Sequence, residues 1–244
     1  MDKRFGLQLY SLREDTAKDA ALVLKKIAEM GFQSIEFAGY YGIGGKEMKM
    51  LLEDLGLKAI SSHVGYHRFT DNFKEEVEFN HAVGNTNIVL PWYKIDTLED
   101  AKKSVEEIGK MREAFLAEGF DFGYHNHAFE FKALDDNGTC GMDYITSVQG
   151  LKLQPDVFWV KTAGIDPVAF IEQNTGRLIS IHMKEYGSDG KNAEFGTGIL
   201  PWREIMQAAE AGGTSIGILE QEEYSCPPLK SVEIGAKNIK KIFS

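Results

Sequence analysis

The sequence has only two cysteines, Cys140 and Cys226, which stand far apart and in no spacing typical of metal ligands. This argues against a disulfide framework and against a structural zinc site. The sequence also lacks a continuous apolar run of the roughly 18 residues that a membrane span needs, and its first apolar stretch is too short and too interrupted for a secretion signal. We therefore expect a cytoplasmic protein with no membrane partner.

Positive charge is in short supply, with 27 Lys and Arg against 37 Asp and Glu and a net charge of −10. Such a surface repels nucleic-acid phosphates, so we expect no nucleic-acid partner. No Ser- or Gly-rich linker, charge run or low-complexity tract divides the chain. Its 43% hydrophobic residues suffice for one large core, and residues 1–244 are expected to form a single domain.

Short apolar segments alternate with longer amphipathic ones along the whole chain. The clearest amphipathic segment, 97–119, repeats Val105, Ile108, Met111 and Phe115 at helical spacing, after a capping-box pattern at Thr97 and Asp100. Eight strand–helix units in a chain of this size predict an α/β fold, a (β/α)8 TIM barrel. The predicted strands are 5–10, 34–38, 59–64, 87–91, 122–126, 153–159, 178–183 and 215–220.

Polar and aromatic residues gather at the ends of these predicted strands, where a barrel of this kind builds its active site. On the first four strands they are Gln8, Tyr10, Glu36, Ser62, His63, Trp92 and Tyr93, and on the last four Tyr124, His125, Asn126, His127, Glu130, Asp156, His182, Lys184, Glu220 and Glu222.

Four of these residues stand about one strand–helix repeat apart and form a candidate metal site. Mixed carboxylate and imidazole ligands suit Mn²⁺, Co²⁺, Zn²⁺ or Mg²⁺. Taken singly, each carboxylate is better explained as a helix cap or loop residue, and the histidine as bonded to a backbone carbonyl. The prediction of a divalent metal ion therefore depends on the joint placement of Glu130, Asp156, His182 and Glu220.

The sequence resembles the sugar phosphate isomerase/epimerase family of xylose isomerase-like TIM barrels. The resemblance spans nearly the whole chain and is most specific in its later stretches. It is carried by GLQLYSLRE (6–14), IEFAGYYG (35–42), SSHVG (61–65), GYHNHAFEF (123–131), DVFWVKTAGIDP (156–167), GRLISIHMKEY (176–186), EFGTGILPW (194–202) and ILEQEE (218–223).

The resemblance implies that Asp156, His182 and Glu220 are metal ligands. The fourth ligand falls on the fifth strand, where GYHNHAFEF departs from the pattern of the ketose epimerases. Glu130 is the first choice for this ligand and His127 the alternative.

The implied activity is that of a sugar isomerase or epimerase that works through a metal-stabilised enediolate of a ketose or keto-sugar. Glu220 would remove the proton, and Glu130 or a histidine of the 125–127 pair would return it. The remaining candidates are Lys184 for a developing oxyanion and, for substrate binding, Glu36, His63, His125, Trp92 and Trp159.

Other functions stay open at this point. A metal-dependent dehydratase or lyase acting on a keto-sugar, keto-glycoside or inosose would use the same ligands, and so would a sugar-binding barrel without catalysis. An endonuclease acting at abasic sites would need a basic surface, which the charge of −10 opposes. The identity of the sugar, its phosphorylation and the formation of a homo-oligomer are not determined by these residues.

Overall fold

The computed structural model describes residues 4–244 as one eight-stranded parallel sheet wrapped by helices. Its strands are β1 (Phe5–Gln8), β2 (Ser34–Phe37), β3 (Lys58–His63), β4 (Asn87–Leu90), β5 (Asp121–His125), β6 (Lys152–Gln154), β7 (Ile181–Met183) and β10 (Gly217–Leu219). The sheet runs in the order β6, β5, β4, β3, β2, β1, β10, β7. Parallel bridges between Leu153 and Leu178 and between Asp156 and His182 join its two edges, so the barrel is nearly closed.

A small antiparallel pair, β8 (Glu185–Tyr186) and β9 (Asn192–Ala193), follows β7. Short 3₁₀ helices, Leu9–Leu12 and Phe129–Phe131, follow β1 and β5. The alternation of strands and helices confirms the predicted TIM barrel. The α-helices are α1 (Arg13–Met30), α2 (Gly45–Leu55), α3 (Tyr66–Val83), α4 (Leu98–Ala117), α5 (Gly141–Ser147), α6 (Val157–Thr162), α7 (Pro167–Gln173), α8 (Trp202–Ala211) and α9 (Pro228–Ile242).

Helix α4 shows how local sequence sets an element. Thr97 accepts a hydrogen bond from the backbone N–H of Asp100, and the Asp100 carboxylate accepts one from the backbone N–H of Thr97. This capping box satisfies two backbone donors at the helix start. Ile108, Met111 and Phe115 are fully buried on the face that packs against the sheet. The helix predicted over 97–119 is confirmed to within two residues at its end.

The strand predicted over 153–159 is wrong in its second half. β6 ends at Gln154, and α6 begins at Val157 with Asp156 as its N-cap. The Asp156 side chain accepts hydrogen bonds from the backbone N–H groups of Phe158 and Trp159, which fixes the helical turn. A short buried apolar run does not reveal by periodicity whether it is strand or helix, and VFWV is such a run.

The core lies between sheet and helices in two clusters. One packs Leu7, Ile35 and Phe37 against helices from both ends of the chain, and the other packs Ile88 and Phe122 against the middle helices. Within residues 4–244, no helix combines the length and the apolar character needed to cross a membrane.

Candidate active site and metal centre

The carboxyl ends of the parallel strands place chemically active side chains at one mouth of the barrel, as expected for this architecture. His125 is the last residue of β5, His182 lies in β7, and Glu220 directly follows β10. Asp156 lies between β6 and α6, and the backbone N–H of His182 donates to the carbonyl of Pro155 at 2.9 Å. This bond sets the Asp156 carboxylate against the His182 ring.

His125, Asp156, His182 and Glu220 form a buried group whose potential ligand atoms all lie within 4.8 Å of one another. One atom of this group, Asp156 Oδ2, is buried and has no hydrogen-bond partner among residues 4–244. It lies 4.0 Å from His125 Nε2. A buried carboxylate oxygen without a partner is costly, and a divalent cation among these four groups would satisfy it. Two imidazoles and two carboxylates fit a borderline cation such as Zn²⁺, Mn²⁺ or Co²⁺.

The fifth-strand member of this group is His125, which the sequence suggested as a substrate-binding residue. Glu130, the first choice for a ligand there, lies outside the group. Its Oε1 accepts a hydrogen bond from the Tyr124 hydroxyl at 2.8 Å, and its Oε2 accepts one from the backbone N–H of His127 at 2.8 Å. His127 Nδ1 lies 3.8 Å from Glu130 Oε1. The structure thus pairs Glu130 with His127 beside the four-residue group.

Glu36 lies fully buried beneath the mouth, where both of its oxygens are held by protein groups. Gln8 donates to its Oε1 at 2.8 Å and Gln154 to its Oε2 at 2.7 Å. His182 Nε2 lies 2.6 Å and His63 Nε2 3.3 Å from Glu36 Oε1. The sequence suggested that Glu36 orients a sugar hydroxyl, whereas its contacts here support and orient the His182 ring.

Burial and neighbouring charges shift the pKa values of the group's members in different directions. Burial lowers the pKa of His125 well below its usual value, so this ring is neutral at pH 7. Burial also disfavours the charged form of His182, but Glu36 and Glu220 outweigh it and raise its pKa to about 10. Burial raises the pKa of Asp156 to about 7, with Lys184 opposing this effect.

Glu220 is the charged carboxylate of the group. Burial opposes its ionisation, but His182 and Lys184 hold its pKa well below the usual value. His182 Nδ1 lies 3.2 Å and Lys184 Nζ 3.9 Å from Glu220 Oε2. Glu220 therefore carries its negative charge at neutral pH and can accept a proton.

Lys184 is buried, donates a hydrogen bond to Glu222, and lies 4.6 Å from the ring centre of Trp159. Trp159 is half-buried, and within the described part of the chain its Nε1 and the Nδ1 of His127 are buried without hydrogen-bond partners. Buried donors and acceptors of this kind are expected to bond to a ligand. The Trp159 ring lies beside Lys184 on one side and 5.6 Å from the His127 ring on the other, so one polar ligand would meet all three side chains.

A cavity of about 380 Å³ opens at this mouth; we call it the inner cavity. It contains several of the sequence candidates and is large enough for a small molecule. Tyr10 and Glu222, which were noted only as strand-end residues, also lie on it, and its chemically active lining comprises His63, Trp92, His125, His127 and Glu220.

Comparison with known proteins identifies the family. The model of the xylose isomerase-like TIM barrel family matches residues 24–242. A solved sugar phosphate isomerase/epimerase from Parabacteroides distasonis ATCC 8503 is 27% identical, with a TM-score of 0.80 and 98% of each chain covered. No curated protein matches the sequence.

More distant structures share the fold. The probable 3-DHS dehydratase AsbF from Bacillus anthracis is 14% identical, with a TM-score of 0.75 over 97% of this chain and 98% of that one. The IOLI protein, solved with a zinc atom, is 13% identical, with a TM-score of 0.75 over 98% of this chain and 97% of that one. Because the family model matches residues 24–242, nearly the whole length, the chain belongs to the xylose isomerase-like TIM barrel family.

Proposed function

We propose that this chain is a divalent-metal-dependent sugar isomerase or epimerase that acts on a ketose or keto-sugar. The observation that carries the proposal is the buried group His125, Asp156, His182 and Glu220, with its unpartnered Asp156 oxygen, at the mouth of the barrel. Its sugar phosphate isomerase/epimerase neighbour supports the substrate class. The neighbour solved with a zinc atom supports a bound metal.

These four residues would hold the cation. When bound, a divalent cation supplies Lewis-acid stabilisation of negative charge on a carbonyl and a neighbouring hydroxyl oxygen. In this proposed ligand set, His125 takes the place predicted from the sequence for Glu130.

The chain's own residues would move the protons. Glu220, ionised at neutral pH, would take the proton from the carbon next to the carbonyl. A protonated His127 would donate a different proton to the substrate, since its buried Nδ1 is free of hydrogen bonds in the described chain and Glu130 fixes its backbone, and both side chains would then exchange their protons with solvent. Lys184 and the Trp159 N–H would stabilise negative charge on the substrate's oxygens.

A second reaction, elimination of water or of a glycosidic group, would use the same two residues. Glu220 would take the proton next to the carbonyl, and His127, whose buried Nδ1 has no hydrogen-bond partner among residues 4–244, would protonate the leaving group. The dehydratase neighbour has the same fold.

The two reactions are separated by incubating the metal-loaded protein in D₂O with a panel of ketohexoses and of 3-keto-glycosides, followed by proton NMR. Epimerisation or isomerisation places deuterium on the carbon next to the carbonyl while the carbon skeleton is kept. Elimination releases a leaving group or forms an enone. If neither change occurs with any member of the panel and the protein binds no divalent cation, the proposal is wrong.

A further inference from the structure

We infer that the mouth of this barrel binds a two-part ligand, with its polar sugar part in the inner cavity and an aromatic or fused apolar ring in an adjoining outer cavity. The inference rests on the proposed function for the sugar part only. The outer cavity measures about 530 Å³ and is larger than the inner one of about 380 Å³.

The two cavities adjoin each other. Gly65, His67, Pro91 and Trp92 line both, so the loops after β3 and β4 form a shared wall. Pockets of roughly 300–1,000 Å³ take drug-sized ligands. The outer cavity by itself is already this large, before the inner cavity is added. A ligand as small as one sugar ring would leave most of the combined space to water.

The linings of the two cavities differ in chemistry. The inner cavity has Glu220, Glu222 and four histidines that can bind hydroxyl groups, whereas the outer cavity has Tyr66, Trp92 and Tyr93. The Tyr66 and Tyr93 rings pack edge to face with centroids 5.4 Å apart. Rings arranged in this way offer flat apolar surface to a third ring.

Two of the three charged residues that line the outer cavity contact other protein groups: Asp100 caps α4, and Lys94 lies 3.3 Å from Asp96. The third, Lys103, can lie over a bound ring in a favourable cation–π contact. An aromatic ring therefore fits this cavity better than a charged group does.

Exposed aromatic surface is concentrated at the same cleft. Trp92 is 51% exposed and Tyr10 43% exposed, and both line the inner cavity. Trp92 faces the outer cavity as well. An exposed aromatic beside a catalytic mouth is typical of ligand contact, because covering it removes apolar surface from water. Sugars that carry an aromatic substituent are thus expected to bind more tightly than the free sugars.

The test measures binding of 4-methylumbelliferone, an aromatic probe without a sugar, by isothermal titration calorimetry. Saturable binding to the unchanged protein is expected, and Tyr66→Ala and Trp92→Ala should each weaken it at least fivefold. Leu116→Ala is the matched control, since Leu116 is exposed at the far end of the same helix whose start lines the cavity. This variant should bind within twofold of the unchanged protein. Circular dichroism verifies that each variant folds.

Asp156→Asn separates this inference from the proposed function. Its binding of the probe should be unchanged even though its metal group is incomplete. Failure of metal binding would contradict the proposed function and leave the aromatic subsite standing. The inference itself is overturned if the probe shows no saturable binding, as would occur if a second copy of the chain covered Trp92 in solution. It is also overturned if Leu116→Ala weakens binding as much as Tyr66→Ala does.

Discussion

His182 lies between two carboxylates, Glu36 on its Nε2 side and Glu220 on its Nδ1 side. Burial would keep this ring neutral, but the two carboxylates dominate and raise its pKa to about 10. The metal-free protein therefore holds His182 as an imidazolium at pH 7. A histidine binds a cation only in its neutral form, so proton and cation compete for this side chain.

Binding of Zn²⁺ or Mn²⁺ at pH 7 is therefore expected to release about one proton, and affinity should rise with pH up to the pKa of His182. Below pH 7, protonation of Asp156, whose pKa is raised to about 7, should lower affinity further. Calorimetric titrations in buffers of different ionisation enthalpy count the released protons. Glu36→Gln removes one of the carboxylates that raise the pKa of His182 and should reduce the count. A count of zero for the unchanged protein would contradict the assignment of His182.

Glu220 gives a kinetic prediction at the same scale. Glu220→Gln preserves the shape of the side chain but cannot accept a proton, so exchange of substrate hydrogen with D₂O should fall about 10²–10⁴-fold. The comparison is Glu106→Gln, an exposed position on α4 with its side chain 69% accessible, which should exchange at the unchanged rate. NMR measures both rates. Equal rates for the two variants would remove Glu220 from the proposed proton transfer.

At the scale of elements, the N-cap of α6 both stabilises a helix and contributes a side chain to the candidate site. Asp156 caps this helix with Oδ1 and leaves Oδ2 without a hydrogen bond from residues 4–244. One oxygen stabilises the helix and the other is available to a cation. Substitutions can therefore separate the two roles.

Asp156→Asn keeps an N-cap oxygen and removes a carboxylate whose ionisation burial disfavours. Its metal-free stability should match or exceed that of the unchanged protein, while its affinity for Zn²⁺ should fall by at least tenfold. Asp156→Ala loses the cap as well and should be less stable than Asp156→Asn by about 1 kcal/mol. Urea unfolding in the presence of a chelator measures the free energies of unfolding. Equal stability of the two variants would show that the cap contributes nothing.

The same elements show which features the sequence predicts. Helix α4 has a capping box and an apolar face, both local features, and its prediction was accurate to within two residues. For the α6 region the sequence predicts a strand, because VFWV is a short apolar run and its one helix signal, an aspartate at the N-cap position, is also common in turns and loops. His125 is a strand residue paired in register with Gln154, whereas Glu130 lies beyond the strand on a 3₁₀ helix and bonds to Tyr124 and the His127 backbone. A barrel of this kind builds its site at the ends of its strands. The position of His125 near the end of the predicted fifth strand, 122–126, therefore favours it over Glu130 as a ligand.

At the scale of the whole molecule, the proposed cation would contact side chains from strands on different sides of the barrel. His125 comes from β5 and Glu220 from the end of β10, so a bound cation links segments distant in sequence. A ligand that binds only the folded state stabilises it, by about 2.7 kcal/mol at a hundred times its Kd. For a chain of this size each kcal/mol raises Tm by about 2–4 °C.

Saturating Zn²⁺ or Mn²⁺ should therefore raise the Tm of the unchanged protein by about 5–10 °C, and a chelator should reverse the rise. Asp156→Asn should show a much smaller shift in the same differential scanning calorimetry experiment. An equal shift in this variant would mean that the cation binds elsewhere on the acidic surface.

The most direct measurement is anomalous X-ray diffraction from crystals grown with Mn²⁺ or Zn²⁺. The account predicts a single strong anomalous peak at the mouth of the barrel, bounded by His125, Asp156, His182 and Glu220. A peak bounded by Glu130 and His127 would contradict it, and so would the absence of any anomalous peak between these four side chains.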